Sequence, residues 1–363
     1  MLCYLALLSR HFGPLRLFDY VTFRAGGALV TSLLIVLLAG AAWARLLRRF
    51  NVLAAERLEG LVPPEFIDKQ KSRTPCMGGV LLIGAVVAAG LLWSRLDGII
   101  APVLIGATFG FAAIGFLDDY LKVACQRRDG LPGRLKLLGQ FIVAGGAVAL
   151  LAADPANGSL LRQLMIPFMK TPVYTGFWCL PAAVIVIVGA SNAVNLTDGK
   201  DGLATGCTIF CTLTYAVFAY LMSHRIFAGY LNIPYIQGAE EAVVFAAAVC
   251  GGCIGFLWHN CQPASMFMGD TGSLALGGAV GLLAVLARQE LLLVLVGGVF
   301  VMEALSVILQ VASFRMTGKR IFLCAPIHHH FERLGWTESQ IVIRFWILSG
   351  ICALIALSSL KLR

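Results

Sequence analysis

Two adjacent carboxylates, Asp118 and Asp119, close an apolar stretch that ends GFLDDY. Charges at the end of a membrane-length helix are costly unless solvated, paired or bound to a cation. Lys122 stands four residues past Asp118 and pairs with it if the helix continues. The doublet therefore reads either as the mark of a helix end at a membrane surface, or as a cation site or general base beside an anionic substrate. A second array, NAVNLTDGKDG over residues 192–202, places Asn or Asp at every third position: Asn192, Asn195, Asp198 and Asp201. Spacing by three keeps successive members close on one side of a helix. Amide donors and carboxylate acceptors in such a row suit the polar edges of a nucleotide or sugar. A third segment, residues 260–273, holds Asn260, Phe267 and a single carboxylate, Asp270, between two glycines. Asp270 is suited to hold a metal or to cap the helix that follows. Phe267 either stacks on a flat base or dips into lipid.

The fourth segment is PIHHHFE, carrying His328, His329 and His330. Neighbouring residues of a helix or strand point in different directions, so this run does not by itself form a three-histidine metal site. Imidazoles can instead bind phosphate oxygens and ribose hydroxyls. Lys69, Lys71, Arg73, Lys122, Arg134, Lys136, Lys319 and Arg320 add positive charge, which attracts lipid headgroups as well as anionic substrates. No P-loop, dinucleotide fingerprint, HExxH zinc motif or serine elbow occurs. The cysteines number 11, an odd count, and the Cys250/Cys253 pair lies mid-way along an apolar run. It reads as small packing residues rather than a redox pair.

The elements that must position these groups are membrane helices. Of the 363 residues, 59% are hydrophobic and only 13% charged, where a soluble protein has about 25% charged residues. The apolar runs do not alternate, which excludes a barrel and predicts an all-α polytopic protein. Ten spans are expected, at approximately 25–46, 76–93, 99–117, 137–153, 177–194, 203–222, 241–259, 273–287, 291–314 and 342–360. The chain reads as one integral-membrane domain over 1–363. The segment Leu2 to Leu8 is too short to cross and is expected to lie at the interface. The longer gaps 154–176 and 223–240 are expected to form hairpins or surface helices. A formal charge of +9 bears on topology before it bears on nucleic acid, for which no partner role is expected. Eighteen Lys and Arg flank one side of the membrane and 10 the other. The first side, which carries nearly all the polar motifs, is therefore cytoplasmic, and both termini lie outside.

Taken together, KSRTPCMGG (71–79), GFLDDYLK (115–122), NAVNLTDGKDG (192–202), FMGDTGS (267–273) and APIHHHFE (325–332) resemble the phospho-N-acetylmuramoyl-pentapeptide-transferase family, within the polyprenyl-phosphate N-acetylhexosamine-1-phosphate transferase superfamily. The segments occur in that family's order and the likeness covers nearly the whole chain. PIHHHFE, followed by Gly335-Trp336 and Arg344 to Trp346, is the part specific to the branch. The resemblance implies a bacterial inner-membrane enzyme, homodimeric, with a Mg²⁺-dependent site facing the cytoplasm. Its substrates would be UDP-N-acetylmuramoyl-pentapeptide and undecaprenyl phosphate, its products lipid I and UMP. By the same resemblance Asp270 holds Mg²⁺, and Asp118, Asp119, Asp270 and His329 are catalytic. Lys71, Thr74, Lys122, Lys136, Asn192, Asn195, Asp198, Asp201, Asn260, Phe267, His328 and His330 bind substrate. The sequence departs from the family pattern where Lys200 replaces a usual Leu and Gln126 a common Lys. Two alternatives stand beside this reading. One is a related transferase using a UDP-N-acetylhexosamine without a peptide. The other is a transporter with an inward-facing anion site, for which Glu303, near Ser306 and Gln310, is the clearest intramembrane candidate.

The charge bias makes a direct prediction. A cysteine placed at the C-terminus is labelled by an impermeant maleimide from the outer side of oriented vesicles, and labelling only from the cytoplasmic side overturns the orientation.

Overall fold

The computed structural model describes residues 1–53, 74–123, 125, 130–167, 169 and 171–361. Lys71, with Lys69, Arg73 and Gln126, lies outside the described residues. The helices are α1 Val21–Arg49, α2 Gly79–Trp93, α3 Ile100–Val123, α4 Gly133–Ala152, α5 Cys179–Thr197, α6 Leu203–Ser223, α7 Arg225–Leu231, α8 Glu240–Asn260, α9 Gly269–Leu286, α10 Leu293–Val296, α11 Gly298–Thr317, α12 Ile327–Arg333 and α13 Glu338–Ser358. Two 3₁₀ segments, Leu2–Arg10 and Gly13–Asp19, precede α1. The only sheet among the described residues pairs β1, Gln163–Leu164, with β2, Val173–Tyr174. That hairpin and α7 occupy the two longer gaps.

Among the described residues nine helices are long and apolar enough to cross a membrane, and α2 is a shorter apolar tenth. At 15 residues, α2 is ~22 Å long, less than the ~30 Å hydrocarbon layer. Its start is tied down instead: Gly78 N and Gly79 N donate to Phe267 O and Met268 O, both at 2.8 Å.

The buried centre is α9, in which every residue from Asp270 to Val285 is buried. It packs against α3, α5, α6 and α2. Its glycines and alanines let neighbouring backbones come close, the usual basis of helix association where lipid removes the hydrophobic drive. The helices around it turn large apolar side chains outward, such as Leu38, Ile142, Ile308 and Ile347, as a lipid-facing surface requires.

At the end of the bundle away from the polar motifs, Arg24 of α1 is 1% exposed. Its guanidinium donates to both oxygens of Glu241 in the first turn of α8, at 2.7 and 2.9 Å, and Arg95 N donates to the same carboxylate at 2.8 Å. A carboxylate in the first turn also faces the positive end of the α8 dipole.

Most boundaries differ from the sequence reading by a few residues, and three of the differences bear on packing or on the site. The span expected at 291–314 is two helices, broken at Gly297 between α10 and α11. A Cβ at the next residue, Gly298, would lie 2.9 Å from Cys352 Sγ, so the start of α11 packs closely against the Cys352 side chain of α13. Helix α3 runs on through Asp118, Asp119 and Lys122, past the apolar limit at 117. Helix α9 begins at Gly269 rather than 273, which places Asp270 inside the helix.

Removing one partner of a buried ion pair leaves the other charge uncompensated, at about 3–5 kcal/mol. Glu241→Ala is therefore expected to lower the thermal midpoint in detergent, and the double variant Arg24→Met/Glu241→Leu to recover much of the loss.

Candidate active site

Helices α3, α5 and α8 end, and α4, α6, α9 and α13 begin, at one end of the bundle. Helices α3 and α9 approach closely there. Gly115 has no side chain, and a Cβ on it would lie 2.2 Å from Asp270 O. One turn later, that contact brings Asp119 over the start of α9. Its carboxylate accepts from Asp270 N at 3.0 Å, Thr271 N at 2.9 Å and Thr271 Oγ1 at 2.7 Å. These are the N–H groups that a helix cannot satisfy by itself. The preceding turn needs Gly269, at φ +76°, where a Cβ would meet Asp119 Oδ2 at 2.6 Å. Asp119 thus caps α9 from another helix. This revises the capping alternative for Asp270: the N-cap position is Met268, and no side chain of its own caps the helix.

Freed from capping, Asp270 joins a cluster of opposite charges. Lys122 Nζ and Lys136 Nζ each lie 2.8 Å from Asp270 Oδ2. Both also contact Asp118 Oδ2, at 2.5 Å for Lys122 and 3.3 Å for Lys136. The expected pairing of Asp118 with Lys122 along a continuing helix is observed. Leu131 N donates to Asp118 Oδ1 at 2.7 Å. Asn195 Nδ2 donates to Asp270 Oδ1 at 3.0 Å and to Ser273 Oγ at 2.8 Å, which fixes the carboxylate plane from the α5 side. Two carboxylates and two ammoniums make the cluster formally neutral. That is the condition under which such charges tolerate burial.

The three-residue array does not form one surface. Three residues turn a helix by about 300°, so each member lags the last by about 60°, and α5 ends at Thr197. Asn192 faces α4 and exchanges amide hydrogen bonds with Gln140, donating at 2.7 Å and accepting at 3.4 Å. Asn195 faces α9. Asp198 is the C-cap of α5. Asp201 accepts from Ala264 N at 3.1 Å, and its own N–H donates to Glu338 Oε1 at 3.1 Å. Asn260 is buried and braces the same loop, accepting from Gly202 N at 3.0 Å and donating to Met266 O at 3.1 Å. Phe267 is partly exposed. Its N–H donates to Pro75 O at 2.8 Å, beside the buried Thr74.

The three histidines take different partners, although the rings of His328 and His329 lie 4.2 Å apart between centroids. His328 is buried, with Nδ1 3.1 Å from Glu303 Oε1. His329 Nδ1 lies 2.9 Å from Glu332 Oε2, and His330 Nδ1 accepts from Leu323 N at 3.1 Å. Glu332 also takes Lys200 Nζ at 2.6 Å. The hydrogen bond from His329 and the ion pair with Lys200 outweigh partial burial and hold the Glu332 carboxyl down to about 2. Sequence reasoning gave no role to Gln140, Thr271, Ser273 or Glu332, although the last three lie inside the segments it quoted. Gln140, Thr271 and Ser273 act across helices, which local spacing does not mark, while the Glu332–His329 contact spans three residues of α12.

Residues 101–288, just over half the chain, match the family model Glycosyl transferase family 4. Over 366 aligned residues the chain is 47% identical to a phospho-N-acetylmuramoyl-pentapeptide-transferase of Methylacidiphilum infernorum (isolate V4), and the match covers 100% of both proteins. The chain belongs to the phospho-N-acetylmuramoyl-pentapeptide-transferase family. It is a multi-pass membrane transferase, and the described residues of the segments carrying the family likeness meet at this end of the bundle.

The capping geometry separates the two adjacent aspartates. Asp119→Ala removes a cap worth about 1–2 kcal/mol and is expected to lower the thermal midpoint together with activity. Asp118→Asn should cut activity with a smaller change in midpoint, because Asp270 still holds both lysines. Scanning calorimetry and turnover on the same preparations check the contrast.

Proposed function

We propose that the chain transfers phospho-N-acetylmuramoyl-pentapeptide from its UDP-linked precursor to undecaprenyl phosphate, giving lipid I and UMP. The carrying observation is the neutral Asp118–Lys122–Lys136–Asp270 cluster, three of whose members come from the family-like segments, in a chain that matches a named relative end to end. The same reading puts the site at the cytoplasmic face of a bacterial inner membrane, as the Lys/Arg bias supports, in a protein that works as a homodimer.

The reaction joins two anions, so its main obstacles are repulsion and placement. The two ammoniums are held ready on carboxylates and can move a short way to diphosphate oxygens. Asn195 keeps Asp270 oriented while they do so. Phe267 offers a ring for the uracil. A lipid phosphate oxygen bonds to the sugar-linked phosphorus, the bridging P–O bond breaks, and UMP leaves with the electron pair. Direct attack of this kind suits the geometry better than a protein nucleophile at Asp119, whose oxygens are engaged at the start of α9.

Among the described residues no three His, Cys, Asp or Glu side chains gather as a metal cage. Mg²⁺ needs none, because it takes one or two carboxylates and keeps waters and phosphate oxygens. Asp118 and Asp270 fit that donor set, since their Oδ2 atoms share the same two cations. When bound, Mg²⁺ supplies charge neutralisation at the diphosphate.

The purified protein in detergent should release UMP from UDP-N-acetylmuramoyl-pentapeptide and Mg²⁺ only when undecaprenyl phosphate is present. UMP from UDP-N-acetylglucosamine instead would reassign the donor. Asp270→Asn should insert and fold, because Asp119 still caps α9, yet lose about 100-fold or more in turnover, several kcal/mol of barrier, along with most of its Mg²⁺ dependence. Near-normal turnover at low Mg²⁺ would remove Asp270 from the metal site.

A further inference from the structure

The α5–α6 turn carries a lysine that the carboxylate cluster does not use. The Lys200 side chain is 6% exposed, and its Nζ lies 2.6 Å from Glu332 Oε1. The second oxygen of the same carboxylate lies 2.9 Å from His329 Nδ1. Glu332 and His329 are far more open, at 45% and 37% exposure. Left to themselves, two such side chains three residues apart on a seven-residue helix hold each other weakly and sample several rotamers. A buried ammonium has the opposite character. It has little freedom, and it is a poor source of stability because desolvation offsets most of the attraction. Its clearest effect is geometric: it anchors the open carboxylate from beneath.

The turn and α12 are also in tight register. A Cβ on Gly199 would lie 2.5 Å from His328 Nε2, so a shift of the turn moves the histidine helix with it. Asn195, which holds Asp270, lies four residues before Gly199, with the end of α5 at Thr197 between them. The carboxylate cluster and the histidines are therefore joined through the end of α5 and the turn that follows it.

We propose that Lys200 is a positioning residue for His329, acting through Glu332. A carboxylate only accepts, so the ring nitrogen facing it carries the proton. Lys200 fixes the carboxylate, the carboxylate fixes the ring plane and the Nδ1–H tautomer, and Nε2 is the ring atom presented to substrate. The kinetic arm of the test rests on the transferase reading; the spectroscopic arm does not.

The full-length protein is compared with Lys200→Met, Glu332→Gln and the double variant. In ¹⁵N-histidine spectra, with the His329 signals assigned by His329→Gln, the parent shows one Nδ1–H tautomer and Lys200→Met a mixture. In UMP-release kinetics, Lys200→Met loses on the order of 10-fold in kcat, short of the ~100-fold that a displaced reacting group can cost. KM for the uridine nucleotide stays within about two-fold, since the change is in orientation rather than uniform binding. In the Glu332→Gln background, Lys200→Met adds no further loss, the signature of two residues on one path. Should Lys200→Met not fold, Lys200→Gln replaces it with the same expectations. An unchanged tautomer and kcat in the single variant, or losses that add in the double variant, overturn the proposal. Absence of UMP release by the parent protein would instead overturn the transferase reading, while the histidine spectra still decide the role of Lys200.

Discussion

The constraint on which this end of the molecule depends is the start of α9. That helix is the most enclosed in the bundle, and its first N–H groups emerge where neither lipid nor bulk water satisfies them. A buried, unsatisfied N–H costs as much as a lost hydrogen bond. Asp119 meets the need from α3 with three accepted hydrogen bonds. It reaches that position only because Gly115 lets the two backbones nearly touch. Everything else at the site is referred to this junction. Asp118, one residue back, is turned toward α4 and its lysine, and Asp270, one residue into α9, is turned toward the same lysines.

The cluster that results is balanced rather than strongly charged. Two lysines pair with two carboxylates, and their mutual attraction and hydrogen bonds offset part of the desolvation cost of burying the site. A balanced cluster can also be repartitioned. An incoming diphosphate competes for the ammoniums, and each ammonium it takes leaves a carboxylate in need of a new cation. This gives a physical reason for a divalent ion and an anionic substrate to bind together, with few rigid metal ligands supplied by the protein. The opposite end of the bundle shows the contrasting use of charge. Arg24 and Glu241 are sealed together between α1 and α8, and serve to hold the ends of those helices away from the site.

Much of this was legible in the sequence. Apolar runs of membrane length, low charge and the one-sided distribution of Lys and Arg specify a polytopic helical protein, because a bilayer admits few other solutions. The order of the polar segments marked out the family and drew attention to Asp118, Asp270, Lys122 and the three histidines. The pairing of Asp118 with Lys122 is a property of helix spacing, and so was readable from the chain alone. That His328, His329 and His330 do not all point one way was readable for the same reason.

What the tertiary structure decided is which of two adjacent or equally spaced groups does which job. Asp118 and Asp119 are alike in sequence, and only the approach of α9 makes one a cap and the other a partner of lysines. Asn192 and Asn195 look like neighbours in one array, but a helix turns between them, so one pairs with Gln140 and the other with Asp270. Lys200 reads as an isolated departure in a turn, and becomes part of a chain to His329 only when α12 packs against that turn. Local spacing fixes the direction of a side chain relative to its own helix axis. It carries no information about the rotation of that helix against the next one, and the chemistry here is set by contacts between helices.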